Sequence, residues 1–290
     1  MGLRLKFNLV LLVVFMLGLG ATGYVSYELL HRNAREEVLR NAGVMMEAAL
    51  SMRSYTVGHV RPNLVSDPDK FLPQSVPAFG ATEIMTLLRK KYPDYAYKEA
   101  TLNPTNPRNR AVEWETDIVN TFRNDASQSE ISGMRETPTG RSLYLARPLQ
   151  IKDGACLSCH TSAEVAPASM VKIYGPSNGF GWKLNEIIGA QIVSVPMGLP
   201  IRNANRAFVT FMSSLAVVFA LLFVILNMML TQLIIEPITQ LSDAAEHISK
   251  GKIDVPELVT TGRDEVAHLG QAFNRMRRSL QKAISLIDKG

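Results

Sequence analysis

Two long apolar runs constrain the fold of this chain more than any other feature of its sequence. Residues 7–27 carry no charged side chain and include the stretch LVLLVVFMLGLG. Residues 207–235 are also uncharged and include FMSSLAVVFALLFVILNMML. A helix of about 20 apolar residues crosses a hydrocarbon layer about 30 Å thick. Each run is long enough to do so, and the sequence therefore predicts two transmembrane helices.

The residues around the first run predict how the chain is oriented in the membrane. The run outlasts the apolar region of a typical signal peptide and no good A-x-A cleavage site follows it, which favours a retained anchor. Arg4 and Lys6 precede the run, and basic residues beside a span mark its cytoplasmic side. We expect four segments: an anchor at 1–27, an extracytoplasmic domain at 28–206, a second transmembrane helix at 207–235 and a cytoplasmic domain at 236–290.

The composition argues against nucleic-acid binding and gives no sign of an enzyme. The 31 Lys and Arg residues only slightly outnumber the 26 Asp and Glu residues, and they form no basic block interleaved with aromatic residues. No Ser/His/Asp set, carboxylate pair or phosphate-cradling glycine loop stands out. We therefore expect a protein that is not an enzyme and has no nucleic-acid partner.

The extracytoplasmic segment begins with a helical pattern and continues as a mixed α+β domain. Residues 28–59 contain no proline, and a stripe of positions recurs at alternating spacings of four and three, which is typical of one helix face. Beyond it, SLYLARPLQI and IIGAQIVSVPM predict strands, whereas EIMTLLRKKY and AVEWETDIVNTFRN predict helices. The helical stripe comprises Val38, Ala42, Met45, Ala49, Met52, Thr56 and His59.

The segment after residue 235 predicts two amphipathic helices joined by an extended connector. Pro237 opens the first helix, and the second carries apolar residues at unbroken spacings of three and four from Val266 to Ile287. Two short helices cannot bury such seams alone, so we expect a parallel four-helix bundle in a homodimer.

The helix–connector–helix order, the pair Asp264-Glu265 and the sequence FNRM in the second helix resemble a HAMP domain. This resemblance implies that helix motion passes from a membrane span to a cytoplasmic partner. It covers about fifty residues, from the end of the second apolar run onward.

Both cysteines of the chain lie in the sequence ACLSCH, which is residues 155–160. C-x-x-C-H is the attachment signature of c-type haem. Two thiols at this spacing reach the two vinyl groups on one edge of a porphyrin, and the adjacent histidine presents its imidazole to the iron from the same side. We expect one haem c per chain, attached covalently to Cys156 and Cys159, with His160 as the proximal ligand of the iron.

Three alternatives to haem attachment stay open for this motif. A disulfide between Cys156 and Cys159 can form outside the cytoplasm. A zinc site needs four ligands, and the adjacent Cys159 and His160 are awkward as ligands of one tetrahedral ion. The third alternative is that the motif arose by chance. The predicted topology places the motif where haem c is attached, which favours the haem.

The distal ligand decides what such a haem can do, because a strong protein ligand favours electron exchange and a weak or absent one allows gas binding. Met45, Met52 and His59 share the helical stripe and are alternative distal ligands. Met46, Met170 and a vacant position also stay open. Four arginines are candidates to pair with the haem propionates: Arg53, Arg61, Arg141 and Arg147.

Residues 53–197 are similar to a family of bacterial extracytoplasmic haem c domains with a PAS-like fold, long catalogued as a domain of unknown function. The likeness rests on MRSYTVGHVRP, YKEATLNPTNPRNRA, TGRSLYLARP, CLSCH and NGFGWKLNEIIGAQIVSVPM. Family members precede HAMP modules, histidine kinases and other output domains, which implies signal reception. Some members use a cysteine as distal ligand. This chain has no third cysteine, so thiolate ligation is excluded and any distal ligand must be sought elsewhere.

These observations predict a dimeric, two-pass sensor of the bacterial inner membrane. Its α+β, PAS-like haem c domain would lie in the periplasm and detect redox state or a diatomic gas such as NO, CO or O₂. The cytoplasmic HAMP domain would pass the signal to a separate protein, such as a histidine kinase or a chemotaxis-type output. The alternative is a membrane-anchored c-type cytochrome for electron transfer.

Overall fold

The helix that carries the first apolar run does not end with that run. In the computed structural model, which describes residues 2–64, 70–252, 254–258 and 262–287, helix α1 (Leu3–Tyr55) is 53 residues long. Its contacts divide it between two compact units of the chain. One unit comprises Met1–Tyr27 and Phe208–Gly290, and the other comprises Glu28–Ala207. A π-helical turn (Thr56–Val60) and the short helix α2 (Arg61–Leu64) follow α1.

The unit Glu28–Ala207 is built on a four-stranded antiparallel sheet with the strand order β1-β4-β3-β2. The first and last strands are therefore neighbours, and Ala96 pairs with Ser194 across them. β2 and β3 form a hairpin in which Thr137 pairs with Gly140. The strands are β1 (Ala96–Thr101), β2 (Ile131–Thr137), β3 (Gly140–Gln150) and β4 (Ile187–Pro196).

One face of this sheet packs against α1 and α3 (Pro77–Lys91). Successive strand residues point to opposite faces, so Leu143 and Leu145 of β3 share this face with Val193 and Val195 of β4. The side chains that meet them come from Val38, Ala42, Met46, Ala49, Ala81 and Met85.

The other face of the sheet packs against α4 (Glu113–Asn124). Ala146, Ala190 and Ile192 alternate with the residues of the first face. The α4 side chains in this second cluster are Ile118, Val119 and Phe122. The domain is therefore a three-layer arrangement of helices, sheet and helix.

The connection from β3 to β4 contains little regular structure. A 3₁₀ turn (Gly154–Cys156), helix α5 (Leu157–His160) and helix α6 (Ala168–Tyr174) are its regular elements within the described residues. This connection carries the C-x-x-C-H motif, so the sheet supplies its two fixed ends.

The other unit contains the second apolar run and the segment after it. Helix α7 (Gly198–Leu230) continues through a π-helical turn (Thr231–Ile235) into α8 (Glu236–Ser249). Helix α9 (Glu265–Ile287) follows the connector. Asn274 of α9 accepts a hydrogen bond from Leu258 N at 3.1 Å and donates one to Leu258 O at 2.9 Å. This pair of bonds ties the connector to the second helix.

Two helical stretches are long and apolar enough to cross a membrane, as predicted. They are Leu3–Leu64 and Gly198–Ser249. Phe15 and Phe219 stack between them with ring centroids 4.8 Å apart.

The predicted α+β class with a long N-terminal helix is confirmed, and so are both predicted strands and both predicted helices of the domain. Two strands, β1 and β2, were missed. The predicted stripe of α1 includes Met45, but the fully buried methionine is its neighbour Met46, which lies outside that stripe. The helical face that meets the sheet is therefore rotated slightly from the predicted one.

Met46→Ala should lower the free energy of unfolding by about 2–5 kcal/mol, because Met46 is 0% exposed in the core between α1 and the sheet. Met134→Ala is the matched control, since Met134 of β2 is 45% exposed, and should change it by less than about 0.5 kcal/mol. Thermal and denaturant unfolding of both variants would measure this. Equal effects would contradict the assignment of the core face.

Candidate haem attachment site

The C-x-x-C-H residues lie on one compact turn. Asp153 accepts a hydrogen bond from Ala155 N at 2.8 Å and so starts the 3₁₀ turn that ends at Cys156. Ser158 Oγ donates to Ala155 O at 2.8 Å. Both cysteines are free thiols and half-buried, with Cys159 in α5 one turn after Cys156. The turn therefore presents two thiols and an imidazole within five residues.

The His160 ring is held by a backbone carbonyl and by an aromatic ring. His160 Nδ1 lies 2.7 Å from Gly179 O, and because a carbonyl only accepts, Nδ1 must be the donor. The ring stacks on Trp182 with centroids 3.9 Å apart and planes 15° apart. This tautomer leaves the Nε2 lone pair available to a metal ion.

Burial lowers the pKa of His160, and the hydrogen bond to Gly179 opposes the shift without cancelling it. The imidazole is therefore neutral at neutral pH. Since a metal ion binds only the neutral imidazole, the surroundings of His160 favour the form that can act as a ligand.

The loop that supplies the Gly179 carbonyl is fixed by hydrogen bonds to another loop. Gly179 N donates to Asn103 Oδ1 at 3.0 Å, and Asn103 Nδ2 donates to Phe180 O at 3.1 Å. Gly179 has φ +84, and a Cβ at this position would lie 2.0 Å from Thr105 Oγ1 and 2.7 Å from Thr105 Cα. Only glycine fits here, so the acceptor of the His160 bond depends on this residue.

A buried ion pair joins the end of α1 to strand β1. Arg53 Nη1 lies 2.6 Å from both carboxylate oxygens of Glu99, which is 1% exposed. Tyr97 OH donates to Glu99 at 2.8 Å and accepts from Gln191 Nε2 at 3.3 Å. Burial and the Glu99 charge raise the pKa of Tyr97, so the phenol stays neutral.

Charges at and just beyond the end of α1 affect the pKa of the first cysteine of the motif. Burial raises the pKa of the Cys156 thiol and the Asp153 carboxylate adds to this, while the charges of Arg61 and Arg53 oppose it. Arg53 and Arg61 therefore lie within electrostatic range of Cys156. Of the four arginines proposed as propionate partners, these two are the ones whose charges act on the motif. Arg141 pairs with Glu136 at 2.9 Å, and Arg147 pairs with Glu47 and Glu130.

The three candidate distal ligands occupy different surroundings. Met45 is half-buried and packs against the core between α1 and the sheet. Met52 is half-buried against α3, where its Cε lies 3.0 Å from the position that a Cβ of Gly80 would take. His59 is exposed in the π-helical turn and stacks on Tyr55 with centroids 5.3 Å apart. Met52 is the candidate directly beside Arg53, whose charge acts on Cys156.

Within residues 2–64, 70–252, 254–258 and 262–287, no three His, Cys, Asp or Glu side chains are grouped to hold a metal ion. The described residues thus offer no four-ligand zinc site around the motif.

Sequence reasoning missed the residues that orient His160. Gly179 and Trp182 lie in the sequence SNGFGW, and Asn103 and Thr105 lie in LNPTN. Both stretches contain turn residues such as Asn-Gly and Asn-Pro. That signal marks two loops, but it does not say that the loops meet.

Two regions of the chain match known protein families. Residues 31–196 match the Tll0287-like family, described as Tll0287, and residues 229–282 match the HAMP domain. A solved structure, the crystal structure of the cyanobacterial heme-protein Tll0287, aligns with 55% of this chain and 95% of its own, at 16% identity and a TM-score of 0.44.

A curated relative is the methyl-accepting chemotaxis protein McpP of Pseudomonas putida strain KT2440, which is 28% identical over 124 residues. The match covers 42% of this chain and 21% of the relative. The chain thus spans about a fifth of the length of the curated relative that it matches.

Gly179→Ala should displace the acceptor of the His160 bond, because the added Cβ meets the Thr105 backbone. Gly181→Ala is the control, since Gly181 has a similar φ of +79 but nothing within 4 Å of the added atom. The control should cost about 1–2 kcal/mol for the left-handed backbone alone, and Gly179→Ala about 1–3 kcal/mol more for the overlap.

Thermal unfolding of the cofactor-free protein gives these costs, and ¹⁵N NMR of its histidines reports the tautomer. We expect the His160 Nδ1–H signal to persist in Gly181→Ala and to be lost in Gly179→Ala. The same tautomer and the same stability in both variants would contradict the role assigned to Gly179.

Proposed function

The chain belongs to the Tll0287-like family, whose match covers residues 31–196, and on that premise we propose that it is a membrane-bound haem c sensor. It carries a HAMP domain after its second apolar helix. The observation that supports the proposal most is the hydrogen bond from His160 Nδ1 to Gly179 O. That bond directs Nε2, beside Cys156 and Cys159, toward a ligand.

The residues of the motif fit a haem c by their chemistry. Two half-buried free thiols are the groups that form thioether bonds with haem vinyl groups, and a neutral imidazole is the usual proximal ligand. A haem attached here would supply an iron whose oxidation state and ligation can change. Gly179 and Trp182 would fix the ring orientation of His160, and Arg53 and Arg61 would offer positive charge to the propionates.

Met52 is the distal ligand that the surroundings favour. The charge of Arg53 favours a lower pKa for the Cys156 thiol, so Arg53 lies within electrostatic range of the motif. Met45 lies two helical turns away, where its side chain already packs in the core. His59 is exposed and would have to leave its stacking partner Tyr55. Met52, the immediate neighbour of Arg53, is therefore the candidate closest in sequence to a residue within electrostatic range of the motif.

The signal would leave the domain through α1 and β4. Helix α1 carries Met52 and Arg53 and is continuous with the first apolar run. Strand β4 leads directly into α7, which contains the second run. A change at the iron that favours one position of α1 over another would shift the balance of two states of the protein.

The sensor would span the bacterial inner membrane twice, with its haem domain in the periplasm and its HAMP domain in the cytoplasm. The basic residues Arg4 and Lys6 before the first run support this orientation. The amphipathic seam of α9 supports a homodimer. The similarity to a chemotaxis protein supports a separate cytoplasmic signalling partner of the chemotaxis or histidine kinase type.

Spectra of the full chain, produced with haem c maturation machinery, test the proposal. We expect haem to stay with the polypeptide on a denaturing gel, and Cys156→Ala with Cys159→Ala to abolish this. Ser158→Ala, on the same turn, is the control and should keep the haem. No covalent haem in the unaltered chain would overturn the proposal and return the cysteines to disulfide chemistry.

Reduction and CO distinguish the sensor from the electron-transfer cytochrome. A ferrous form that takes up CO would support gas or coordination sensing. A six-coordinate form that is indifferent to CO in both oxidation states would support redox sensing or electron transfer. In that case, cross-linking of the cytoplasmic helices in both oxidation states would distinguish redox sensing from electron transfer. An effect of the oxidation state on the cross-links would support redox sensing.

Met52→Ala should remove the distal ligand and convert a low-spin haem to a high-spin or CO-binding one. Met45→Ala is the matched control, and it should lower stability without changing the spectrum. His59→Ala should also leave the spectrum unchanged. Visible absorption and electron paramagnetic resonance measure the spin state, and a spectral change in Met45→Ala or His59→Ala alone would move the assignment to that residue.

A further inference from the structure

The amide side chains of the two apolar runs gather at one place. The runs 7–27 and 207–235 contain three Asn or Gln residues, Asn8, Asn227 and Gln232. All three line a single open groove of about 470 Å³ between α1 and α7, together with Arg4 and Thr231. Polar side chains are costly in hydrocarbon, so their gathering at one place indicates where the two helices leave it.

The groove lies at one end of the apolar helices. About 20 residues separate position 207 from Asn227, which corresponds to about 30 Å of helix, the thickness of the hydrocarbon layer. Arg4 and Asn8 lie one turn apart on α1, at the start of the first run. The polar lining therefore sits at the level of the lipid headgroups.

Among the described residues, the groove has one cation and one buried side-chain acceptor without a donor. Arg4 is the only charged residue among the described residues that line the groove. Asn227 Nδ2 and Thr231 Oγ1 already donate to carbonyls one turn earlier, at 3.1 and 2.9 Å. The buried Asn8 Oδ1 has no hydrogen-bond partner in the part of the chain that the structure describes. A ligand that suits the groove carries an anion and, close to it, a hydrogen-bond donor.

We propose that this groove binds the headgroup of a phospholipid. The phosphodiester pairs with Arg4, and a headgroup hydroxyl or ammonium group donates to Asn8 Oδ1. Phosphatidylglycerol and phosphatidylethanolamine both carry a phosphate and such a donor, whereas phosphatidylcholine carries the phosphate alone. The apolar part of the lining, Phe223, Val224 and Met228, suits the acyl chains beside the headgroup.

The position of the groove gives the bound lipid a route to the cytoplasmic domain. Thr231 and Gln232 are the first residues of the π-helical turn that joins α7 to α8. A lipid that contacts both residues favours the helical state in which they face the groove. The lipid therefore regulates the junction between the membrane span and the HAMP domain, independently of the haem proposal.

Native mass spectrometry of the full chain, with lipid titrated in detergent, tests this site. We expect phosphatidylglycerol and phosphatidylethanolamine to bind more tightly than phosphatidylcholine. Arg4→Gln should weaken binding by about tenfold or more, the usual effect of losing a charge-assisted hydrogen bond. Lys6→Gln is the matched control, because Lys6 precedes the same run but does not line the groove, and it should bind as the unaltered chain does.

Asn8→Leu tests the contribution of the headgroup donor to binding separately from that of the phosphate. It should abolish the preference over phosphatidylcholine while a phosphate-dependent affinity remains. Equal affinity for all three lipids in the unaltered chain, or equal losses in Arg4→Gln and Lys6→Gln, would overturn the proposal. Competition by inorganic phosphate would identify a free anion as the ligand. A loss of dimer mass without a loss of lipid in Asn8→Leu would identify a second copy of this chain as the occupant of the groove.

Discussion

The carboxylate of Glu99 is almost wholly removed from water, and the position of helix α1 depends on how that charge is balanced. Arg53 supplies the balance with one nitrogen at 2.6 Å from both oxygens, and Tyr97 adds a hydrogen bond. Removing one partner of a buried ion pair costs about 3–5 kcal/mol, because the other charge stays buried without compensation. The pair therefore restricts both the rotation of α1 about its axis and its height along strand β1.

Helix α1 therefore contributes both to the core and to the surroundings of the motif. Seven residues before Arg53, Met46 fills the core against the sheet, while the charge of Arg53 acts on Cys156. The same helix continues into the first apolar run. The core holds α1 from Val38 to Ala49, and the ion pair fixes the helix at Arg53. A force near the motif would therefore act on a rigid part of the helix. That rigidity is what a membrane sensor of the proposed kind requires, since a flexible link would dissipate a small displacement.

The predictable parts of the fold are those whose signal lies within a short stretch of sequence. The apolar runs and the C-x-x-C-H motif are local, and β3 and β4 were found because their buried residues form dense apolar runs. β1 was missed because it reads AYKEAT, and the burial of Glu99 makes sense only beside Arg53, which is 46 residues away. β2 was missed because ISGMRET alternates between half-buried and exposed residues and contains no fully buried one. In α1, spacings of three and four fit both Met45 and Met46, and only contact with the sheet decides between them.

The candidate site was also predictable only where its signal is local. The residues that orient the His160 ring were the least predictable part. Its carbonyl partner, Gly179, is 19 residues away and is held by Asn103, 76 residues farther back. No periodicity links these positions, since each is set by where two loops meet.

Both apolar helices pass into the next part of the chain through the same local structure. Thr56 and Thr231 each begin a π-helical turn, and each donates its hydroxyl to the carbonyl four residues earlier, at 2.8 and 2.9 Å. A π turn accommodates one residue more than an α turn, so the side chains beyond it are rotated by about 100° from the α-helical phase. The helix stays continuous while the face it presents changes. A transition between π and α at either junction would thus turn the following helix without breaking it. Rotation could in this way pass from one helix to the next.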